Sequence, residues 1–372
     1  MSRIRVLMSI PNLNGGGAER MALTVAESLD SERFHVRLFV HERSGDFLNS
    51  VDPRLDVVFQ NDGPYHRRQL ISSLAGNIRL ARDCDVVVGA NEGRASILSI
   101  AAARLLRKPL VLCVQNNWSE FSKIVSWRQR MSLRQYGAAN IVVPCSDGVA
   151  EDFRALVPST SKKMRTIYNS IPVDRVKAQA GIPIEPEHEA IFANPVVIAV
   201  GRLDYQKGHD TLIAAHALLR QRGFGHRLVI LGQGDLRQSL LNQATQLGVR
   251  DTVHLLGFQQ NPYRYIRNAT AFALSSRFEG FGIVVAEALA CGTPVVSVDC
   301  PSGPSEILDG GKYGVLVPPD SPLDLANGLS KVLSDSMEQQ RLSSLSLERC
   351  MAFDVSTAKL KWESLLLELS NK

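Results

Sequence analysis

The sequence lacks the features of a membrane-spanning, metal-binding or disulfide-stapled protein. No apolar run approaches the length of about 20 residues that a bilayer span needs. The six cysteines include no C-x-x-C pair and no Cys/His spacing typical of a metal site, so we expect buried free thiols in a reducing compartment. The basic start MSRIRVLMSIP has only a short apolar stretch and no small-residue cleavage site, and it therefore predicts a first strand, not a signal peptide.

What the chain does contain is ordinary globular composition with an uneven charge. Its 372 residues, 45% of them hydrophobic, suffice for two domains. Residues 1–170 carry 23 Lys and Arg against 16 Asp and Glu, whereas residues 171–372 carry 19 against 21. The basic first half suggests either an anionic partner there (a membrane surface, a lipid phosphate or nucleic acid) or only a solvated surface. No nucleic-acid-binding motif accompanies the charge, so we expect no nucleic acid partner.

Short apolar runs alternate with helix-length segments along the whole chain, for example DVVVGA followed by RASILSIAAARLL (residues 94–106). Such buried runs separated by helices predict parallel sheets that are covered on both faces. The predicted strands are 4–10, 35–41, 85–90, 109–115, 140–146, 164–170, 196–201, 227–232, 253–258, 271–276, 294–299 and 313–318.

A change in composition predicts where the chain divides into two domains. Residues 171–195 hold four prolines and little periodicity, which is typical of a linker. We therefore predict an α/β protein of two doubly wound domains, 1–170 and 171–352, whose strand ends face one another across a cleft. The last segment, about 353–372, reads as an amphipathic helix that can pack on either domain.

Three glycines follow the first predicted strand, in the segment PNLNGGGAER. Glycine lets the backbone approach a ligand closely, and the helix that begins there favours an anion at its N-terminus. Gly16 and Gly17 are therefore candidate binding residues. The segment is not G-x-G-x-x-G, so it does not indicate a dinucleotide, and the alternative is a simple strand-to-helix turn.

A second strand-to-helix loop, GRLDYQKG, carries two cations. Arg202 can grip a phosphate with two hydrogen bonds, and Lys207 adds a point charge. The pair suits a diphosphate. Two solvated loop cations are the alternative.

Two carboxylates stand eight positions apart in RFEGFGIVVAEALACGTPVVS. Glu279 precedes the predicted helix start, and Glu287 lies within an apolar helical run, where an unpaired carboxylate is costly to bury. We expect Glu287 to find hydrogen-bond donors, such as sugar hydroxyls. A helix-capping Glu and a structural Glu would explain the same pattern.

Taken together, these segments resemble the retaining glycosyltransferases of family 4, which have the GT-B fold. The resemblance covers nearly the whole chain and rests on GGGAER, GRLDYQKG, the E-x7-E pair, and DCPSGPSEIL followed by YGVLVPP. It implies a cleft that binds a sugar nucleotide, and the two glutamates are then two contacts to one donor rather than the acid and base of a hydrolase.

The resemblance also implies roles for particular residues. Arg202 and Lys207 would hold the diphosphate, Glu287 would bind the ribose hydroxyls, and Glu279 would contact the donor sugar near the reacting centre. Glu279, Arg202 and Lys207 are thus the expected catalytic residues. The further donor contacts that it implies are Gly16, Gly17, Phe258, Phe281, Gly282, Ile283 and Glu306.

The chain departs from the family pattern at one position. Many members have a histidine where this chain reads Gln115-Asn116-Asn117. Gln115 and Asn116 can hydrogen-bond a sugar hydroxyl, but an amide cannot act as a base near neutral pH. Relatives of this kind generally use no bound metal, and we expect no metal or cofactor here.

A stretch of the basic half mixes aromatic and cationic residues, as at a membrane interface. It covers residues 118–136 and contains Trp118, Phe121, Ile124, Trp127, Lys123, Arg128, Arg130 and Arg134. An amphipathic surface helix is the alternative. The family often acts on lipid-linked acceptors in building bacterial surface polysaccharides and lipopolysaccharide, so we expect a cytoplasmic enzyme peripheral to the inner face of the cytoplasmic membrane.

The sequence therefore predicts a retaining glycosyltransferase that uses a nucleotide sugar, with a UDP-sugar favoured, and a lipid-linked saccharide or lipopolysaccharide acceptor. The alternatives are a GDP- or ADP-sugar, a soluble acceptor, or a non-catalytic partner subunit with the same fold. Intact Arg202, Lys207, Glu279 and Glu287 favour an enzyme.

Overall fold

Two parallel sheets of six strands organise the part of the chain that the computed structural model describes, namely residues 3–62, 69–125 and 127–370. Unit 1 comprises Met1–Ser170 together with Val355–Lys372, and unit 2 is Ile171–Asp354. Each unit contains one sheet with its helices.

The sheet of unit 1 has the strand order β3-β2-β1-β4-β5-β6. Its strands are β1 (Ile4–Ile10), β2 (Phe34–Val40), β3 (Asp56–Phe59), β4 (Val86–Gly89), β5 (Leu110–Val114) and β6 (Ile141–Pro144). Strands β4, β5 and β6 are apolar and fully buried, as expected for a sheet that is covered on both faces.

In unit 1, one strand was not predicted and one predicted strand is wrong. The edge strand β3 was not predicted, because its residues are only half-buried and its apolar run is short. Conversely, residues 164–170 form no strand. They run beside β6 with one bridge, from Met164 to Val142, and backbone bonds from Arg165 and Ile167 to that strand.

Six α-helices belong to the described residues of the first part of unit 1. They are α1 (Gly17–Ser28), α2 (Leu70–Arg82), α3 (Arg94–Leu106), α4 (Trp118–Phe121), α5 (Trp127–Ser132) and α6 (Asp147–Leu156). Local chemistry fixes several starts: the Ser146 side chain, for example, accepts a hydrogen bond from the Val149 amide at the beginning of α6.

The sheet of unit 2 has the order β12-β11-β10-β7-β8-β9. Its strands are β7 (Val196–Val200), β8 (Arg227–Leu231), β9 (Val253–Gly257), β10 (Ala271–Leu274), β11 (Val295–Val298) and β12 (Val315–Val317). All six were predicted from their apolar runs.

Nine helices cover this sheet among the described residues. They are α7 (Val173–Ala180), α8 (Glu189–Phe192), α9 (His209–Gln221), α10 (Arg237–Gln246), α11 (Tyr263–Arg267), α12 (Ile283–Ala290), α13 (Pro304–Ile307), α14 (Pro322–Ser334) and α15 (Ser336–Arg349). Helix α7 corrects the linker prediction for 171–195, because Val173, Val176 and Ala180 are buried on one face. That face, at positions 1, 4 and 8 of the helix, is a helical period that the prolines around it obscured.

The last helix, α16 (Val355–Ser370), belongs to unit 1 and packs against α1, β1 and β4. Its buried face consists of Ala358, Trp362, Leu365, Leu366 and Leu369. Glu363 also accepts a hydrogen bond from the Asp30 amide at 3.0 Å, at the end of α1. The chain therefore leaves unit 1 at residue 170 and returns to it at residue 355.

All six cysteines are free and buried, as predicted. Within the described ranges, no helix has both the length and the apolar character needed to cross a bilayer.

Candidate active site

The predicted cations and carboxylates of unit 2 lie on loops that leave neighbouring strands. Strand β10 pairs with β7 on one side and β11 on the other, and all three are parallel. Their carboxyl ends therefore meet at one edge of the sheet, where such folds bind ligands. Residues 201–208 follow β7, residues 275–282 follow β10, and residues 299–303 follow β11.

The first two of these loops are in direct contact. Gly208 has φ +58°, and a Cβ atom there would lie 2.2 Å from the Ser275 carbonyl oxygen. Only glycine fits this close approach. The contact brings the turn Tyr205–Lys207 against residues 275–279.

Hydrogen bonds join the turn to the loop along its whole length. The Arg277 amide donates to the Gln206 carbonyl at 2.8 Å, and its Nη1 donates to the Tyr205 carbonyl at 2.8 Å. The Ser275 hydroxyl donates to the Lys207 carbonyl at 2.9 Å. We call residues 205–208 with 275–279 the cradle, because the two segments form one cross-linked surface.

Lys207 and Glu279 form an ion pair inside the cradle. The Lys207 Nζ lies 2.6 Å from Glu279 Oε1, and the Ser276 hydroxyl donates to the same oxygen at 2.6 Å. The Lys207 and Glu279 side chains are only 15% and 6% exposed. Two donors on one oxygen hold the Glu279 carboxylate in a fixed direction.

Arg202, by contrast, reaches toward solvent. Its side chain is 59% exposed, and its Nη2 donates to Gln206 Oε1 at 3.0 Å and lies 3.2 Å from Asp204 Oδ2. Asp204 also begins the turn, since its side chain accepts from the Lys207 amide. An exposed guanidinium beside the buried ion pair can bind an anion at this edge of the sheet.

Glu287 is buried in α12, as the apolar run predicted, and it has a protein donor. The Tyr263 hydroxyl, from α11, donates to Glu287 Oε1 at 2.9 Å. Only 1% of Glu287 is exposed. The sequence contained no signal that pairs these two residues, which lie on different helices.

The start of α12 is built by glycines. Gly282 has φ +83° and precedes the first helical residue, Ile283, and its carbonyl accepts from the Val285 amide at 2.8 Å. The first two amides of the helix have no intrahelical acceptor, as at the start of any helix. Gly303, after β11, allows close contact with the preceding loop: a Cβ there would lie 2.0 Å from the Phe281 carbonyl oxygen. Phe281 is buried, with its ring against Phe353.

Glu306 and Phe258 lie outside the cradle. The Glu306 side chain, within α13, accepts a hydrogen bond from the Gly303 amide at 3.3 Å, and it thereby helps to start that helix. Phe258 directly follows β9, the edge strand two positions from β7, and is half-buried.

The glycine segment of unit 1 begins α1, as predicted. Gly16 precedes the helix and Gly17 is its first residue. A Cβ at Gly16 would lie 2.4 Å from Glu19 Oε2. Glu19 is itself buried and accepts a hydrogen bond from Asn91 Nδ2 at 3.0 Å. Gly16 thus makes room for an acidic side chain after the carboxyl end of β1.

Gln115 and Asn116 follow β5 and are held by a carboxylate that the sequence analysis missed. Glu92 Oε1 accepts from the Gln115 amide at 2.7 Å, the Asn116 amide at 3.0 Å and Trp118 Nε1 at 3.1 Å. Burial raises the pKa of Glu92, while these hydrogen bonds act in the opposite direction. Asn169 Nδ2 donates to Gln115 Oε1 at 2.9 Å.

The aromatic and basic stretch 118–136 is not one helix. It contains α4, α5 and a 3₁₀ segment, Leu133–Ala138. Trp118 was expected at a membrane interface, which is wrong: it is 3% exposed because its indole N–H is bonded to Glu92. Ile124, Trp127 and Met131 are exposed, Trp127 at 68%. The side chain of Arg128 and residue Ser126 lie outside the described part of the chain.

In the described ranges, no group of three or more His, Cys, Asp or Glu side chains has an arrangement that could hold a metal ion.

Two family models match the chain in succession. Residues 15–175 match the model described as Glycosyltransferase Family 4, and residues 184–346 match the model described as Glycosyl transferases group 1. The first match lies in unit 1 and reaches five residues into unit 2, and the second lies wholly in unit 2.

Two of the relatives that the chain resembles come from Campylobacter jejuni. One, named N-acetylgalactosamine-N,N'-diacetylbacillosaminyl-diphospho-undecaprenol 4-alpha-N-acetylgalactosaminyltransferase, is 33% identical over 246 residues, which is 66% of this chain and 64% of that protein. The chain thus spans about two-thirds of that relative's length. A second, named as an alpha-1,4-N-acetyl-D-galactosaminyltransferase acting on a GalNAc-containing diNAcBac-PP-undecaprenol, is 27% identical over 99% of both chains.

Among solved structures, the chain resembles Anabaena Alr3699/HepE in complex with UDP and glucose. The TM-score is 0.84 at 21% identity, covering 98% of this chain and 100% of that one. With the two parallel six-stranded sheets, this likeness shows the two-domain GT-B fold that the sequence predicted.

Proposed function

Because the chain belongs to the group 1 and family 4 glycosyltransferases, we propose that it transfers a sugar from a nucleoside diphosphate sugar to a saccharide acceptor and retains the anomeric configuration. The observation that carries this proposal is the cradle of unit 2. It contains the Lys207–Glu279 pair, at 2.6 Å, and the exposed Arg202 guanidinium is bonded to its Gln206 side chain.

In this proposal the donor binds through charge at one end and hydroxyl contacts at the other. Arg202 and Lys207 bind the diphosphate, since a guanidinium and an ammonium both suit phosphate oxygens. Glu279 accepts a hydrogen bond from a hydroxyl of the transferred sugar, and Glu287 accepts from the ribose. The amides at the start of α12, around Gly282, bind phosphate or sugar oxygens.

The nucleotide of the donor is UDP in our proposal. Support comes from the structural neighbour that was solved with UDP and glucose, at 21% identity. Phe258, which follows β9, is our candidate for contact with the base. A GDP- or ADP-sugar is the alternative, and it leaves the diphosphate contacts unchanged.

The reaction then proceeds on one face of the sugar. The bond from the anomeric carbon to the diphosphate oxygen breaks, and the acceptor oxygen bonds to that carbon on the same side. The acceptor proton passes to an oxygen of the departing diphosphate. Arg202 and Lys207 lower the barrier by stabilising the negative charge that builds on the leaving group. These cations take the role for which other enzymes use a divalent metal, so the proposal includes no metal or other cofactor.

We assign the acceptor to unit 1 and propose a lipid-linked saccharide. The two Campylobacter relatives are named for acceptors on diphospho-undecaprenol and PP-undecaprenol. Gly16, Gly17, Gln115 and Asn116 are the candidate contacts in unit 1, at the carboxyl ends of β1 and β5. The Gln115 and Asn116 side chains offer amide donors and acceptors for saccharide hydroxyls.

A lipid-linked acceptor implies contact with a membrane, and one exposed surface suits it. Trp127 and Met131 lie one turn apart on α5 and are exposed, and Ile124 precedes them. Arg130 and Arg134 are exposed at the same one-turn spacing. We call these five residues the interfacial patch. Its aromatic and cationic groups fit an anionic lipid surface, at the cytoplasmic face of the membrane in this proposal.

The donor assignment is tested by calorimetric titration of the full chain with UDP, GDP and ADP, each alone and with an attached sugar. We expect one nucleotide, UDP, to bind in the micromolar range or tighter, and one of its sugars to change the affinity. If only GDP or only ADP binds, that nucleotide replaces UDP in the proposed donor. Binding of none would contradict a catalytic role and favour a non-catalytic subunit.

The membrane assignment is tested by flotation with vesicles that contain anionic lipid. We expect the Arg130→Glu/Arg134→Glu variant to release the protein, because each reversed charge loses about 1 kcal/mol or more of attraction. Arg154→Glu/Lys162→Glu is the matched control, since both residues are exposed in unit 1 and the net charge changes equally. Equal release by both pairs of substitutions would show a general effect of net charge and would contradict the assignment of membrane binding to the interfacial patch. Persistent binding of the first variant would place the membrane surface elsewhere, and no binding of the wild type would favour a soluble acceptor.

A further inference from the structure

We propose that Gln206 is a positioning residue that directs the Arg202 guanidinium toward a diphosphate without neutralising it. This inference rests on the proposed donor site and assigns a role to a side chain that touches no substrate. Gln206 is buried in the cradle, between Arg202 and the loop that carries Glu279.

The two ends of the Gln206 amide have different partners. Arg202 Nη2 donates to Oε1 at 3.0 Å, and Nε2 donates to the Phe278 carbonyl at 3.1 Å. A guanidinium can only donate and a carbonyl can only accept, so the amide has one orientation in this network. Gln206 therefore links Arg202 to the residue that precedes Glu279.

The backbone of Gln206 is fixed as well. Its carbonyl accepts from the Arg277 amide at 2.8 Å, and Gly208 brings the turn to within contact of Ser275. The amide thus projects from a rigid base. Arg202 is 59% exposed and would otherwise sample many rotamers, so a fixed acceptor lowers the entropy lost when it binds a ligand.

The neutrality of the amide matters because Arg202 has a charged competitor. Its Nη2 also lies 3.2 Å from Asp204 Oδ2. A carboxylate attracts the guanidinium more strongly than an amide does, and it competes with a diphosphate for the same cation. Gln206 gives Arg202 a second acceptor that adds no negative charge, and it so keeps the cation available for phosphate.

Two substitutions of Gln206 test its contacts to Arg202 and Phe278. Gln206→Glu keeps an acceptor for Arg202 but adds a charge and loses the donor to Phe278. Gln206→Met keeps the length of the side chain and loses both bonds. We expect each to weaken UDP binding about tenfold, as the loss of a charge-assisted contact would.

The informative quantity is the ratio of the dissociation constants for UMP and UDP, measured by calorimetry on the full chain. In our proposal Arg202 contributes most to binding of the second phosphate, which UMP lacks. The dissociation constant for UMP divided by that for UDP should therefore fall about fivefold or more in both variants. A merely structural role would lower the melting temperature but leave the ratio unchanged. An unchanged ratio in folded Gln206→Glu and Gln206→Met overturns the inference.

Asp204→Asn provides a test in the opposite direction. Asparagine can still accept a hydrogen bond from the Lys207 amide and begin the turn, but it removes the competing charge. We expect UDP to bind about threefold more tightly. Weaker or unchanged binding would contradict the competition with Asp204. If the wild type binds no UDP, the donor site fails first and the role of Gln206 falls with it.

Discussion

Glu279 owes its position to two donors on one oxygen, Lys207 Nζ and the Ser276 hydroxyl. A carboxylate this deeply buried is costly unless it is paired and hydrogen-bonded. At the scale of single residues, the pair therefore has two consequences. It fixes the carboxylate that we assign to the donor sugar, and it makes the stability of unit 2 depend on Lys207.

Replacing Lys207 alone should separate these consequences. Lys207→Met leaves the Glu279 charge buried without its cation, and we expect the free energy of unfolding to fall by about 3 kcal/mol. Denaturant unfolding measures the loss. The double variant Lys207→Met/Glu279→Gln removes the unpaired charge and should recover part of the stability. A double variant as unstable as the single one would show that the pair is not the cause.

Two buried histidines of unit 2 predict a dependence of stability on pH. His216 Nδ1 lies 2.8 Å from His226 Nε2, a geometry in which one ring donates and the other accepts. Burial, followed by the nearby His226 and Arg220, lowers the pKa of His216 to about 3. Burial followed by Arg220 lowers the pKa of His226 to about 4.

As the pH falls below 6.5, the ordinary pKa of histidine, the unfolded chain therefore binds protons that the folded chain does not bind. The stabilisation is fully present above pH 6.5 and is lost as the pH falls toward about 4. We expect the melting temperature to drop between pH 7.5 and pH 5, and His226→Gln to flatten that slope. A slope that is unchanged in the variant would assign the pH dependence to other groups.

At the scale of elements, apolar runs predicted what is buried and little else. Helix α3 has the predicted bounds, 94–106, and all six strands of unit 2 were found, because buried strands and helices must be apolar. Strand β3 was not predicted because its four residues are only half-buried and its apolar run is short. The run at 164–170 misled because an apolar segment can lie beside a sheet edge without joining it.

In the candidate site, too, only some of the residues could be predicted from the sequence. Arg202, Lys207, Glu279 and Glu287 were predicted, because their residue types and spacing point to a sugar nucleotide. Their supporting residues were not. Ser276, Gln206 and Tyr263 are residue types that occur on any protein surface, so the sequence does not mark them as functional. Gln206 contacts Phe278 only because the loops after β7 and β10 fold against each other. Glu92 was missed for the same reason.

The contact between those two loops makes a prediction about Gly208. An alanine there would place its Cβ 2.2 Å from the Ser275 carbonyl, so the loops of the cradle must separate. We expect Gly208→Ala to lose stability and to weaken UDP binding at least fivefold, as the contacts of Lys207 and Gln206 are disturbed.

Gly223→Ala is the matched control. Gly223 also has a positive φ, +89°, but a Cβ there would have nothing within 4 Å. This variant should cost about 1 kcal/mol of backbone strain and leave UDP binding unchanged. Equal effects of the two variants on UDP binding would rule out the loop contact as the cause.

At the scale of the whole molecule, unit 1 is discontinuous in sequence and unit 2 is not. Helix α16 completes unit 1, with Trp362, Leu365, Leu366 and Leu369 buried. Burying such side chains contributes about 1.5–3 kcal/mol each. The last helix is therefore expected to matter to the acceptor unit and not to the donor unit.

A chain that ends at Asp354 tests this division. We expect unit 1 to unfold at a much lower temperature than in the full chain, while unit 2 keeps a transition that UDP raises by mass action. A chain that ends at Ser370 is the control, because it keeps α16. Loss of both transitions in the shorter chain would show that unit 2 does not fold without α16.

The most direct test of the proposed activity is the release of UDP from UDP-sugars in the presence of vesicles containing polyprenyl-diphosphate-linked saccharides. The account predicts release that depends on both one sugar nucleotide and the acceptor, and its loss in Glu279→Gln although that variant still binds UDP. Absence of acceptor-dependent release from UDP-, GDP- and ADP-sugars alike, or an undiminished rate in Glu279→Gln, would contradict it.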